Sequence, residues 1–144
     1  MDKKIIIGCI ENCNLPELGI KDLPTRVDTG AKTSSLHVDN LCRIKKNGKL
    51  WVRFDIHPDI YNVESVVECC APICDIRSVK SSNGTSQERY VIKTPITIGN
   101  MTWDIEITLT DRSDMSYMML LGRQGMENRV MVDPSQTFML SEDE

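Results

Sequence analysis

The residues best suited to catalysis lie in one short stretch that begins at Asp28. Asp28, Thr29 and Gly30 form an Asp-Thr-Gly tripeptide directly after the β-branched Val27. Because glycine permits a tight turn after a strand, the sequence predicts a loop that presents the Asp28 carboxylate, with the Thr29 hydroxyl bracing it. Two carboxylates held close together cannot both ionise, so they share one proton. One then acts as a general base on water while the other donates to a carbonyl oxygen, which is a chemistry for hydrolysing amides.

A second stretch, an apolar run that ends in Gly122 and Arg123, supports the first. Residues 117–121 are Tyr-Met-Met-Leu-Leu. The ordered pair of segments, 28–31 and then 120–123, resembles the retropepsins, in which an Asp-Thr-Gly-Ala loop is followed later by two apolar residues, Gly and Arg, and then by a short helix. The resemblance implies that the second stretch packs behind the catalytic loop and that its Arg braces the active site and the dimer interface.

The number of Asp-Thr-Gly tripeptides determines which oligomer this chemistry needs. The chain has one, and the other aspartates that we considered, Asp39, Asp55 and Asp75, lack the Thr-Gly context. An aspartic peptidase of this kind requires a homodimer that contributes Asp28 twice across a two-fold axis. The resemblance places a C-terminal strand at that interface, and residues 129–140 have strand character. A monomer would instead be a catalytically inactive peptide-binding module on the same fold, since fold alone does not fix function.

A closer resemblance covers nearly the whole chain. The sequence resembles a bacterial and archaeal family of retropepsin-like proteins called ATP-dependent zinc proteases, and the matching segments are 15–20, 27–37, 51–58, 89–92, 105–110, 119–123 and 132–134. Some members are associated with enzymes that add glutamate tails to a ribosomal protein. The resemblance therefore implies an aspartic-type peptidase that trims acidic, glutamate-rich peptide tails.

Lys32 departs from the pattern of the viral retropepsins. Those proteins carry an acidic residue directly after Asp-Thr-Gly-Ala, and it pairs with the Arg of the later stretch. Lys32 and Arg123 would repel each other at the same place unless an acid bridges them. We therefore expect Ala31, Lys32 and Arg123 to bind substrate in a locally basic cleft that suits an acidic peptide. The alternative is that Lys32 points to solvent, as most lysines do.

Metal and nucleotide sites have little support in the sequence. The six cysteines include two pairs spaced four residues apart, but no Cys-x-x-Cys pair, and cysteines can serve as small buried apolar residues. His37 and His57 remain alternative zinc ligands, although zinc sites usually have a denser ligand set. The chain has no Gly-x-x-x-x-Gly-Lys-Ser/Thr phosphate loop. We therefore expect no metal and no other cofactor.

Strand signals dominate the chain and indicate how these residues are positioned. Candidate strands lie at 3–9, 50–56, 63–70, 88–98 and 101–110. Gly99-Asn100 predicts a hairpin between the last two, and Pro95 suits an edge or a bulge. Polar residues 81–86 predict a turn at the tip of a mobile hairpin, and residues 123–127 a short helix. We predict a mainly β fold, namely a closed or nearly closed retropepsin-like β-barrel with one short helix.

Length and charge limit the number of domains and the kinds of partner. The chain of 144 residues has the size of one domain, which we assign to 1–140, and the acidic tail 141–144 is expected to be disordered. The net charge of −4 argues against a general nucleic-acid-binding surface. No segment approaches the roughly 18 consecutive apolar residues of a membrane span. Because the Ile-rich start is followed by Glu11 and not by a cleavage site, we expect a cytoplasmic protein without membrane contact. The expected partners are a peptide or protein substrate and a second copy of the chain.

Overall fold

The structure is a computed structural model and describes residues 4–57, 66–80, 84–111 and 117–140. Its composition is 64% strand and 6% helix, which confirms the prediction of a mainly β fold with one short helix. The strands are β1 Ile5–Ile7, β2 Ile10–Leu15, β3 Ile20–Val27, β4 Ser34–His37, β5 Asp39–Lys46, β6 Lys49–Ile56, β7 Val67–Pro72, β8 Asp75–Lys80, β9 Ser86–Ile98, β10 Met101–Thr110, β11 Met119–Leu121 and β12 Val130–Val132. A 3₁₀ turn covers Pro16–Leu18, and helix α1 covers Arg123–Met126.

Six strands close into a barrel, as the sequence predicts. Their order is β10, β4, β11, β3, β2 and β9, and β9 pairs again with β10 to complete the circle. β8 continues the sheet outward from β9. Two of the pairings are parallel, namely β3 with β11 and β4 with β10, so distant parts of the chain meet side by side.

The hairpin of β9 and β10 is the longest pairing in the barrel. It turns at Gly99, whose φ of 62° lies in the left-handed region that favours glycine. Pro95 lies in β9, opposite Asp104 of β10. On the other side of β9, the pairing with β8 ends at Val91 and the pairing with β2 is at Thr97, so Pro95 lies between the two. Pro95 therefore lies at a local gap in the pairing of a strand that is not at the edge of the sheet, which differs from the predicted edge position.

The core lies inside the barrel and under a separate three-stranded sheet. In β10, Trp103, Ile105, Ile107 and Leu109 are buried, so the alternation in the sequence identified the inward face correctly. The second sheet has the order β5, β6, β7, and its buried face carries Val52, Phe54, Ile56, Cys69 and Ala71. Burial of these apolar faces is the main source of stability that holds the two sheets together.

The first and last strands pair with each other outside the barrel. β1 and β12 form a parallel two-stranded sheet in which Ile6 lies beside Met131. Both of these side chains are more than half exposed, at 51% and 57%. The predicted strand at 129–140 is shorter than expected, because the chain turns after Val132 and continues without regular strand structure.

A buried glutamate fastens the C-terminal segment to the barrel. Glu11 is fully buried, and its carboxylate accepts hydrogen bonds from the backbone N–H groups of Gly8, Met139 and Leu140, at 2.8, 2.8 and 3.1 Å. Hydrogen bonds from backbone donors compensate the cost of removing a carboxylate from water. Glu11 therefore fixes the path of residues 139–140 across the start of β2.

Some predictions fall outside the described residues. The acidic tail 141–144 and half of the proposed hairpin tip at 81–86, namely 81–83, are among them, although β8 and β9 do pair as a hairpin on either side of that tip. The start of the predicted strand at 63–70 is also outside, and its described part is β7, which begins at Val67. Among the described residues, the helices are too short to cross a membrane.

Candidate active site

Asp28 begins a loop that leaves the end of β3. Its backbone N–H donates to the carbonyl of Leu121 at 2.9 Å, and its own carbonyl accepts the N–H of Ala31 at 3.2 Å. The Asp28 Oδ1 atom accepts the N–H of Gly30 at 3.0 Å. These contacts hold the carboxylate at one position in the loop while leaving it partly exposed. It is therefore available to a water molecule or a substrate.

Gly30 leaves space beside the Asp28 carboxylate. Its φ is outside the left-handed region, so the backbone conformation alone does not demand glycine. A Cβ atom at this position would lie 3.2 Å from Asp28 Oδ1. The absence of a side chain therefore allows the Gly30 N–H to approach the carboxylate closely.

The second stretch packs behind this loop. β11 lies between β3 and β4, parallel to the first and antiparallel to the second. Gly122 follows it, and a Cβ atom on Gly122 would lie 2.5 Å from the carbonyl carbon and oxygen of Thr33. The N–H of Gly122 donates to Ser34 Oγ at 3.0 Å. The two chain segments thus approach to a distance that admits only glycine.

Arg123 braces the loop directly. Its Nη1 atom donates to the Thr29 carbonyl at 3.0 Å, and its backbone N–H donates to the Ala31 carbonyl at 2.8 Å. Arg123 thus holds Thr29 through its carbonyl oxygen, a contact separate from the predicted bracing of Asp28 by the Thr29 hydroxyl. The guanidinium remains exposed at the surface of the loop.

Lys32 lies next to helix α1, which begins at Arg123. Its carbonyl accepts the N–H of Gln124 at 2.9 Å, so the backbone at Lys32 is fixed against the first turn of α1. The side chain of Lys32 is exposed, as is that of Arg123. With its guanidinium directed to the Thr29 carbonyl, Arg123 has a partner that does not require an acid at position 32. The structure thus explains how the loop accepts a lysine there.

Ser34 is a further residue of this site and was not predicted from the sequence. This residue is fully buried at the start of β4, and its hydroxyl is the acceptor for Gly122. Its neighbour Ser35 forms a hydrogen bond with the Thr108 hydroxyl at 3.1 Å, which links β4 to β10. The available signal was the pair of consecutive serines shortly after the Asp-Thr-Gly tripeptide, since a buried serine needs a hydrogen-bond partner.

The two histidines meet at one aspartate. Asp39 Oδ2 lies 3.0 Å from His57 Nε2, and Asp39 Oδ1 lies 3.7 Å from His37 Nε2. The Nδ1 atoms of both rings are buried and have no hydrogen-bond partner within the described ranges. Asp39 is therefore the shared partner of the two Nε2 atoms. No group of three or more His, Cys, Asp or Glu side chains that could hold a metal occurs in the described part of the chain.

The cysteines divide into buried and exposed sets. Cys13 and Cys69 are buried, and burial raises the pKa of the Cys13 thiol to about 12 and that of Cys69 to about 11. The expectation that the cysteines serve as small buried residues holds for these two and is wrong for the exposed ones, namely Cys42, Cys70 and Cys74. All six are free thiols.

Known proteins resemble this chain over nearly its whole length. The chain is similar to the probable alpha-L-glutamate ligases of Shewanella pealeana, with 45% identity over 98% of this chain, and of Desulfotalea psychrophila, with 45% identity over 96%. The aligned parts are 31% and 30% of those proteins, so this chain spans about a third of their length. It is also similar to a crystal structure of Lpg0085 from Legionella pneumophila, a protein described as having unknown function. The TM-score is 0.79 at 28% identity, and the match covers 96% of this chain and 100% of the other.

The family model that matches is RimB-like, described as the retropepsin-like aspartic endopeptidase RimB, and it covers residues 6–143. This match bears out the retropepsin-like resemblance. The description carries neither the word zinc nor the word ATP, so that part of the expected family name is not confirmed. The segments that it covers include the Asp28 loop and the Gly122-Arg123 stretch that packs behind it. On these grounds, the chain belongs to the RimB-like family of retropepsin-like proteins.

Proposed function

We propose that this protein is an aspartic-type peptidase that acts as a homodimer on acidic, glutamate-rich peptide tails. The observation that carries the proposal is the construction of the Asp28 loop. Three separate contacts fix it, from Gly30 to the carboxylate, from Asp28 to Leu121 and from Arg123 to Thr29, yet the carboxylate remains accessible. A fixed and accessible carboxylate is what a general acid or base needs.

Two copies of Asp28 complete the catalytic pair in this proposal. When the two carboxylates approach each other, one holds a proton and donates it to the substrate carbonyl, while the other removes a proton from the attacking water. The exposed apolar pair Ile6 and Met131, on the sheet that joins the two ends of the domain, supports association with a second copy. Neither zinc nor ATP takes part in the proposed reaction.

The substrate class rests on charge and on the relatives. Lys32 and Arg123 present two exposed cations beside the Asp28 loop, where carboxylates of a substrate would be attracted. The relatives named probable alpha-L-glutamate ligases contain a segment like this chain in about a third of their length. A segment like this chain therefore occurs in the same polypeptides as a part named for joining glutamate, which supports a glutamate-rich tail as the substrate. The six free thiols suit the reducing cytoplasm, where we place the activity.

The direct test replaces Asp28 by asparagine. Asn retains an oxygen that accepts the Gly30 N–H, so the loop should keep its shape and the melting temperature should change little. We expect cleavage of a glutamate-tailed peptide to fall to background. The controls are a neutral peptide of equal length and the parent protein with a chelator added. Cleavage by Asp28→Asn at the parent rate would refute the proposal.

The alternative is a catalytically inactive peptide-binding module. Measurement of mass in solution distinguishes the two, since the peptidase requires a dimer that shares its site. A monomer that binds the glutamate-tailed peptide without cleaving it would establish the alternative. A dimer whose cleavage depends on Asp28 would exclude it.

A further inference from the structure

The hairpin formed by β5 and β6 carries a concentration of positive charge that the Asp28 site does not use. Residues 43–49 contain Arg43, Lys45, Lys46 and Lys49 and no acidic residue, in a chain whose net charge is −4. All four side chains are exposed, and none forms an ion pair with another residue that the structure describes. We call these four residues the basic hairpin.

The turn of the basic hairpin fixes its charges close together. Asn47 and Gly48 form a two-residue turn in which both φ angles are positive, 53° and 76°, as tight hairpins require. Lys46 and Lys49 are therefore directly opposite each other as the closing pair of the two strands. Like charges at directly opposed positions destabilise a hairpin. The arrangement has a cost to folding that a bound anion would remove.

Trp51 adds an apolar surface beside these cations. Lys46 Nζ lies 4.6 Å from the centre of the Trp51 ring, so the ring holds one of the ammonium groups in place. Leu50, opposite Lys45, is 42% exposed on the other face of the hairpin. The surface thus offers fixed cations together with partly exposed apolar side chains.

β5 is also an edge strand. The sheet order is β5, β6, β7, so within the described residues one side of β5 pairs with no other strand. An extended peptide can add to such an edge through backbone hydrogen bonds, and its alternate side chains then point to the two faces. Arg43 and Lys45 lie on one face, and Lys46 lies on the other. A peptide with consecutive carboxylates would meet a cation on either face.

From these features we propose that the basic hairpin is a second binding surface for an extended acidic peptide, separate from the Asp28 loop. The identity of that peptide as the glutamate-rich tail rests on the function proposed above. Nucleic acid fits less well, because the rest of the chain is acidic and one face of Trp51, which a base would need for stacking, is covered by Lys46. The hairpin would hold part of a tail while another part reaches Asp28.

The test measures binding without cleavage. In the Asp28→Asn protein, the affinity for a fluorescent oligoglutamate peptide is measured by anisotropy. Replacing Lys45, Lys46 and Lys49 by glutamine should weaken binding about tenfold, which corresponds to three exposed ionic contacts of ordinary strength. The variant should also lose much of the salt dependence of binding. The matching Lys→Arg triple variant keeps the charge and should bind like the parent.

A control triple variant changes the same number of charges elsewhere. Lys4, Lys21 and Lys93 are exposed and lie outside the hairpin, so their replacement by glutamine should leave the affinity nearly unchanged. Equal weakening in both triple variants would mean that only net charge matters, and it would overturn the proposal. An unchanged affinity in the hairpin variant would also overturn the proposal, and the lysines would then serve only to prevent edge-to-edge aggregation. Tighter binding of a single-stranded oligonucleotide than of oligoglutamate would overturn it as well.

The outcome also separates this proposal from the proposed activity. If the hairpin variant loses peptide binding while no preparation cleaves peptide, the basic hairpin is a binding surface and the peptidase proposal fails. If Asp28-dependent cleavage occurs and the hairpin variant binds as tightly as the parent, the peptidase proposal stands and the hairpin proposal fails.

Discussion

Replacing Gly122 by alanine tests whether the close approach of two chain segments holds the Asp28 loop in place. The added Cβ would lie 2.5 Å from the carbonyl carbon and oxygen of Thr33 and 3.0 Å from the backbone nitrogen of Ser34. Ordinary contacts begin at 3.4 Å, so the segments must separate by about 1 Å. The obstacle is backbone, which cannot rotate away as a side-chain end can.

Two costs add up in this variant. Overpacking of a tight interior typically costs about 1–3 kcal/mol. Separation also stretches the buried hydrogen bond from the Gly122 N–H to Ser34 Oγ, and leaving such a group without a partner costs about 1–3 kcal/mol. We therefore expect Gly122→Ala to lower the free energy of unfolding by about 2–6 kcal/mol. For a chain of this length, that is a fall of roughly 6–20 °C in melting temperature.

The assay is thermal unfolding followed by circular dichroism, with Gly125→Ala as the matched control. A Cβ on Gly125 would lie 3.0 Å from Leu121 Cδ1, 3.2 Å from Ser34 Oγ and 3.4 Å from Ile105 Cγ2, which are side-chain atoms that need to shift by only a few tenths of an ångström. The control should therefore melt within a few degrees of the parent. If Gly122→Ala melted as high as the parent, the backbone would have room at this point, and the argument that glycine is required there would be wrong.

Further predictions concern charge, thiols and the buried carboxylate. Lys32→Asp should lower kcat/KM for a glutamate-rich peptide about ten- to a hundredfold relative to a neutral one, since a charge-assisted contact contributes roughly 1.5–3 kcal/mol, and an unchanged ratio would assign Lys32 to solvent. At pH 8, far below the raised pKa values of Cys13 and Cys69, alkylation mapped by mass spectrometry should spare both and modify the exposed thiols; rapid labelling of either would contradict their burial. Glu11→Gln should lower the free energy of unfolding by about 2–4 kcal/mol in urea, because at least one buried N–H loses its acceptor, whereas exposed Glu127→Gln should have little effect.

The sequence predicted those parts of the fold whose signal is local. The alternation in β10 and in β6 has a period of two residues, and the turn at Gly99 needs only its own neighbours, so each could be recognised without knowledge of the rest. β11 and β12 have three residues each, too few for a period to appear. β5 was not predicted, because its exposed charged residues follow no apolar alternation.

Only part of the candidate site could be predicted, because only its motifs give a local signal. The tripeptide at Asp28 and the Gly122-Arg123 pair are recognisable as motifs, but the atoms through which they meet are not. Arg123 contacts the Thr29 carbonyl across a separation of 94 residues, and the atom that it reaches depends on how both segments pack. Burial of Cys13 and exposure of Cys42 likewise depend on neighbours that the spacing of cysteines does not reveal.

The long separation between Thr29 and Arg123 also orders events in time when the protein is made. Ribosomes add about 5–20 residues per second, so roughly 5–20 s pass between synthesis of the loop and synthesis of its guanidinium brace. During that interval the nascent chain carries Asp28 but lacks the partners at Leu121 and Arg123 that hold it. The site therefore forms only after the segment up to Arg123 has been synthesised, and a nascent chain that ends before Arg123 has no assembled Asp28 loop that could act on its surroundings.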